Sequence, residues 1–358
     1  MDERIRTILE AGIRAPSGEN AQPWRFDVSG MEIRLHTVPE RDQSLYNFKQ
    51  RGSYAACGAV IENMEIAAQH LGLVPSTSLF PEPHNKDFVA RMTLNEGTAL
   101  HKEAELYGAI AARTTNRKPY LRDPLENSAR EALQACAHED GAGLLFITDQ
   151  KQIAALGRVG ATNEQVMLMN KAVHDFFFSH VSWNKAEDDA KKIGFYIETL
   201  ELPPPAKAMF KLFKDWKAMS FFNKLNFASV VAKQNAATYA ASEAMGVITI
   251  LNLEPKSFVE AGRALERIWL TATTQGLYMQ PLTGTIFLSY HLSEASEHAS
   301  VFSDKERMLL TEQMDVLRSL ITETGRHPAI MFRIGHAKPP SAHANRFTVE
   351  ECMGYNQK

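Results

Sequence analysis

Cysteine is scarce here: Cys57, Cys136 and Cys352 are the three in 358 residues. They are odd in number, far apart and in no Cys-x-x-Cys or Cys/His spacing. A disulfide framework and a structural zinc site are therefore excluded, and free thiols in a reducing compartment are expected. A basic excess is also missing. The formal net charge is -3 and the pI about 6.5, which argues against a polyanionic partner such as nucleic acid. No apolar run reaches the roughly 18 residues of a membrane span. The amino-terminal MDERIRTILEAGIRAP is charged from its second residue, so a cytoplasmic location is expected rather than secretion. No acid–base pair, nucleophile motif or metal cluster stands out, and no catalytic side chain or metal is nominated.

What is present suits a large soluble chain. With 44% hydrophobic and 23% charged residues, the sequence can bury a large core in two halves or domains. Ile5, Ile8, Leu9 and Ile13 recur at helical spacing, and the run stops at Ala15-Pro16-Ser17-Gly18. WRFDV and MEIRLH alternate around Ser29-Gly30, the pattern of a β-hairpin. The Ala-rich run Ser53–Leu71 predicts a helix buried nearly all round, its small residues Ala55, Ala56 and Gly58 allowing close helix approach. Strands are expected at Thr77–Phe80 and Phe88–Leu94, and Asn95-Glu96-Gly97 marks the end of a first half, 1–97.

The second half, 98–358, starts over. Helices are expected at His101–Ala112 and Glu126–Ala137, with a strand at Gly143–Thr148. An Ala/Met-rich segment follows at Tyr239–Leu251, then a helix at Lys256–Gln275 and the loop YMQPLTGT. A helix at Asp304–Thr322 and a final strand, AIMFRIG, complete an α+β set. Between Phe176 and Phe227 lies an insertion dense in aromatics and Met, which must cover something.

Four stretches could carry chemistry. The loop Pro16-Ser17-Gly18-Glu19-Asn20-Ala21-Gln22-Pro23-Trp24 exposes backbone donors and short polar side chains; on chemistry alone it is equally a helix stop before a core tryptophan. Arg113-Thr114-Thr115-Asn116-Arg117 sets two guanidinium groups and a hydroxyl at alternate positions. An extended chain turns all three to one side, suiting a phosphate, although such a run alone is more often a solvated basic turn. The third stretch is Gly276-Leu277-Tyr278-Met279-Gln280-Pro281-Leu282-Thr283-Gly284, and the fourth the tail FRIGHAKPP…NRFTVEE with Arg346 and Lys338.

In order and in detail these stretches resemble the nitroreductase family. APSGENAQPW is similar to its Pro-Ser-x-x-Asn-x-Gln-Pro-Trp loop, which contacts FMN from the opposite subunit of a dimer. Arg113-x-Thr115-x-Arg117 resembles the flavin-phosphate motif Arg-x-Ser-x-Arg/Lys, with Thr keeping the hydroxyl. Pro281, Leu282, Thr283 and Gly284 resemble the loop beneath the isoalloxazine, whose last amides bond the flavin N5 and O4 edge. Many relatives carry Glu where Thr283 stands, so a backbone role is expected there. The tail is similar to the family's closing strand and basic phosphate ligand, implying Arg346 first and Lys338 second.

No phosphate motif precedes the Pro-Ser loop, and the second half's counterpart of that loop, ACAHEDGAGLLF, has lost Ser, Asn, Gln and Trp. Each half keeps one of the two pieces. The resemblance is thus to the fused, Acg-like branch: an α+β nitroreductase-like fold of two related halves forming a pseudo-dimer, with a helical lid at about 176–227 and one complete FMN site made by Pro16, Ser17, Gly18, Asn20 and the residues above. It implies an oxidoreductase using NAD(P)H and a small electron-poor acceptor such as a nitroaromatic or quinone, as a monomeric pseudo-dimer or homodimer. The alternative is an FMN-sequestering or storage protein whose lid occludes the flavin. KAMFKLFKDWKAMSFFNKL also reads as a basic amphipathic helix on a membrane. A lid gives the same aromatics a home inside the protein, so membrane contact is not expected.

Overall fold

The computed structural model describes residues 1–97, 101–136, 141–294 and 301–354. Helix α1 (Glu3–Gly12) is capped by Asp2, whose carboxylate accepts from the Arg4 amide, and buries Ile5, Ile8 and Leu9. Strands β1 (Trp24–Ser29) and β2 (Glu32–Thr37) form the expected hairpin, with Gly30 at φ +59 in its turn. Helix α2 (Arg51–His70) is buried on most faces. Strands β3 (Leu73–Leu79) and β4 (Phe88–Glu96) complete a sheet of order β1-β2-β4-β3.

Helices α3 (His101–Ala112) and α4 (Asn127–Ala135) lead to strand β5 (Gly143–Ile147). The chain then runs through helix α5 (Gln150–Met169), α6 (Lys171–Ser179), the short strand β6 (Val181–Ser182), α7 (Lys185–Lys191), the short strand β7 (Phe195–Tyr196), α8 (Pro204–Phe213), α9 (Trp216–Asn223) and α10 (Phe227–Ala240). Strand β8 (Ala244–Ile250), helix α11 (Pro255–Thr274), strand β9 (Tyr278–Pro281), helices α12 (Gly284–Glu294) and α13 (Asp304–Leu320), strand β10 (His327–Gly335) and helix α14 (Val349–Met353) follow. The second sheet has the order β5-β8-β10-β9.

The two sheets share one plan. In each, the chain lays down its strands in the order first, second, fourth, third, every neighbouring pair is antiparallel, and a long helix separates the second strand from the third. Those two helices, α2 and α11, cross at glycines holding the same eighth position. A methyl group on Gly58 would overlap the Val259 carbonyl, and one on Gly262 would overlap that of Ala55. Ala55 and Val259 are each fifth in their helix, so the contact is reciprocal, as at an interface with twofold symmetry. The plans part at one place. Where Gly30 and Met31 link β1 to β2, the chain from Thr148 to Glu243 links β5 to β8.

That excursion makes its own small core, in which Phe178, Phe213 and Met219 pack with Val166, Leu168 and Leu288. The main core runs through both sheets. The Tyr239–Leu251 segment is divided between the end of α10 and β8, and YMQP is the strand β9 rather than a loop. Helix α12 gives no periodic signal because Thr285 to Tyr290 are all buried. Of the expected helix Glu126–Ala137, the final residue lies outside the described residues, as do residues 137–140 of ACAHEDGAGLLF.

Candidate functional site

The Pro-Ser loop is held in an unusual backbone conformation. Glu19, Asn20 and Gln22 have φ of 52, 54 and 50, a left-handed region that costs a non-glycine residue about 1–2 kcal/mol. Side chains around it hold that shape. The Ser17 hydroxyl accepts from the Gln22 amide at 3.0 Å, and Gln22, fully buried, donates to the Lys192 carbonyl at 2.8 Å and accepts from the Phe347 amide at 2.8 Å. Asn20 donates to the carbonyls of Lys192 and Asn345 at 2.9 and 3.0 Å. Pro16 and Ser17 are half-buried and Gly18 is exposed. Burial, aided by Asp42, lifts the Glu19 carboxyl well above its ordinary range.

The loop meets the second cluster through arginines. Arg346 donates to Asn20 Oδ1 at 2.6 Å, and Arg113 donates to the Arg14 carbonyl, just before the loop, at 2.6 Å. Arg113 is buried beside Glu266, with Nε 3.0 Å from Oε1, and its guanidinium carbon lies 4.5 Å from the Trp269 ring centre. Burial raises Glu266 to about 7 against the pull of Arg113. Burial, and then the charges of Arg113 and Arg14, push the Arg346 guanidinium down to about 9. Its Nε is buried without a hydrogen-bond partner.

Arg113-Thr-Thr-Asn-Arg117 runs beside β9. Thr115 bridges Met279 in parallel register, and the Asn116 amide donates to the Met279 carbonyl at 3.0 Å. From β9 the chain enters Pro281–Gly284. There the Leu282 amide donates to the Met331 carbonyl, and α12 begins at Gly284, placing the amides of Thr283 and Gly284 at a helix N-terminus, where anions are favoured. Gly284 is required by packing, since a methyl group there would overlap the Asn163 side chain. Arg117 donates to the Thr199 carbonyl at 3.0 Å and lies 5.6 Å from the Phe195 ring.

The insertion therefore reaches both clusters through residues 192–199, Gly194 also donating to the Glu19 carbonyl at 2.9 Å. Phe213 meets Phe222 edge-on and lies tilted against Phe227 in the insertion's own core. Lys338 is exposed and joins the clusters only through its carbonyl, which accepts from Asn116 at 2.9 Å.

No family model matches the chain. Over 95% of its length it is 24% identical to the uncharacterized protein MT1398 of Mycobacterium tuberculosis, and it spans only 46% of that relative. Over 94% of its length it is 24% identical to the M. tuberculosis protein named "Putative NAD(P)H nitroreductase Rv3131", covering 86% of it. Over 49% it is 26% identical to "Putative NAD(P)H nitroreductase acg" of the same organism, covering 53%. The chain is a homologue of nitroreductase-family proteins. Among solved structures, it aligns with the FMN-dependent nitroreductase NfnB from Mycobacterium smegmatis in complex with NADPH over 71% of this chain and 99% of that one. That alignment has 11% identity and a TM-score of 0.40.

The chain also holds polar residues that the sequence did not single out. Arg333 is fully buried in β10, its guanidinium carbon 4.0 Å from the Tyr120 ring and 5.4 Å from that of Tyr239; it donates to Gln280 Oε1 at 2.7 Å and to the Lys118 carbonyl at 2.9 Å. Its Nη1 is buried with no partner. A lone arginine inside the apolar run AIMFRIG was the available signal. Tyr239 donates to Glu164 at 2.9 Å, and burial raises the Glu164 carboxyl. Among the described residues no group of three or more His, Cys, Asp or Glu could hold a metal ion, and no helix is long and apolar enough to cross a membrane.

Proposed function

We propose that this chain is an FMN-dependent oxidoreductase. It would take electrons from NAD(P)H and pass them to a small electron-poor acceptor such as a nitroaromatic or quinone, at one site between two nitroreductase-like halves, 1–97 and 98–358. The observation that carries this is the buried guanidinium set. Arg113 and Arg346 are set against Glu266 as their shared buried counter-charge, and Arg346 Nε has no hydrogen-bond partner. A phosphate monoester brings the negative charge and acceptor oxygens such donors need.

Bound FMN supplies the exchange of hydride and electrons; the chain holds and tunes it. Arg113, Thr115, Arg117 and Arg346 would hold the phosphate, and the strained Pro16–Asn20 loop would offer polar groups to the ribityl chain or ring edge. Pro281, Leu282, Thr283 and Gly284 would line the ring, and the N-terminus of α12 beside them would favour negative charge there. Lys338 is left out because its side chain is exposed. The shared strand order and the reciprocal crossing of α2 and α11 support a pseudo-dimer within one chain, which needs no second copy to complete the site. A cytoplasmic location belongs to the same reading.

The hydrogen bonds by which the Lys192 and Thr199 carbonyls accept from the two clusters and the Gly194 amide donates to Glu19 favour a second reading, in which the insertion closes over FMN and the protein sequesters it. Steady-state oxidation of NADH and NADPH with several acceptors separates the two. Acceptor-dependent turnover supports the oxidoreductase; a yellow protein that neither pyridine nucleotide reduces overturns it in favour of sequestration.

A further inference from the structure

We propose that the outer face of α8, α9 and the start of α10 docks on an anionic membrane surface. The insertion houses Phe213 and Met219, but not all of its apolar residues. On α8, Pro205, Ala208, Met209 and Leu212 are all exposed. Their spacing of i, i+3, i+4 and i+7 makes one continuous apolar stripe facing water, the reverse of an ordinary surface helix. On and after α9, Phe221 is 61% and Leu225 70% exposed, and on α10 Val230 is 61% exposed. Single exposed apolar residues need no explanation, but a run of them over three consecutive helices does.

The charges among them are of one sign. Residues 202–240 hold six lysines and one acid, Asp215, a net of +5 within a chain whose net is -3. Asp215 caps α9, accepting from the Lys217 amide at 2.7 Å. Lys207 pairs with Glu198, whereas Lys211, Lys214, Lys217, Lys224 and Lys233 are exposed. Apolar side chains set among lysines bury into the headgroup and acyl boundary while the ammonium groups meet lipid phosphates. A second copy is disfavoured as occupant, because a twofold contact would set +5 against +5.

This inference does not depend on a flavin. The full chain, mixed with phosphatidylcholine vesicles with and without phosphatidylglycerol, should co-sediment only with the anionic ones and be released by high salt. Lys211→Gln with Lys217→Gln should lower the partition coefficient about 25-fold, from roughly fivefold per lysine. Phe221→Ser with Leu225→Ser should weaken binding at unchanged charge. All four positions are exposed, and an unchanged unfolding midpoint confirms that the variants are folded. The proposal is overturned by no co-sedimentation, by equal binding to neutral vesicles, or by binding that neither pair alters. A concentration-dependent dimer dissolved by the Phe221 and Leu225 exchanges, without lipid binding, also overturns it.

Discussion

Gly262→Ala should drive α2 and α11 apart at their crossing. The added Cβ would overlap the Ala55 carbonyl oxygen and stand 2.9 Å from the Ala55 Cα, whereas carbon pairs settle at about 3.5–4.0 Å. The neighbour is backbone inside a 20-residue helix, so no rotamer change relieves the contact and the helices must separate by more than half an ångström. Overpacking costs about 1–3 kcal/mol, and a rigid neighbour puts this site at the upper end. Alanine returns about 1 kcal/mol of helix propensity, leaving a net loss of about 2 kcal/mol. Gly108, in α3, is the control. Nothing lies within 4 Å of its Cβ position, so Gly108→Ala should gain up to about 1 kcal/mol. Urea unfolding followed by circular dichroism, at one fixed flavin concentration, gives both numbers from midpoints at a common slope. A Gly262→Ala protein as stable as its parent would refute the close crossing.

Glu266→Gln should flatten the pH dependence of stability. Burial holds this carboxyl at about 7 in the folded chain, against about 4.3 unfolded, so its contribution is full below about 4 and is lost as pH rises through 7. Urea midpoints of the flavin-free parent should fall across that window more steeply than those of the variant, and parallel profiles would remove Glu266 from the account. Arg117→Ala should lose flavin on dialysis while keeping its circular dichroism spectrum; undiminished retention would sink the assignment of Arg117 to the phosphate. Gly194 has φ +83, and a Cβ there would overlap the His180 carbonyl. Gly194→Ala should loosen residues 192–199 and speed reduction of bound flavin by dithionite, and an unchanged rate would show that this segment does not gate access.

What the sequence disclosed follows the reach of its periodic signals. The β1–β2 hairpin, α2, α11 and β10 were legible because alternation, small-residue runs and Ser-Gly punctuation are local. Helix α12 was hidden because it is apolar on every face, and β9 because a four-residue strand at the edge of its sheet looks like a loop. The Pro-Ser loop was found by resemblance, but its left-handed Glu19, Asn20 and Gln22 were not, since Lys192, Asn345 and Phe347 impose that shape from distant parts of the chain. Glu266 reads in sequence as one more charge on an amphipathic helix. Its meaning depends on Arg113, which only the packing of the second half brings beside it.

The central claim is that one flavin site lies where Pro16–Asn20, Arg113–Arg117 and Arg346 converge. The visible spectrum of the purified chain, with its chromophore extracted, identified and counted, tests it most directly. The account predicts a yellow protein releasing FMN at about one per chain, because pre-formed cofactor sites are few and one set of donors is complete here. A protein that stays colourless after incubation with FMN, or one that releases about two per chain, would contradict it.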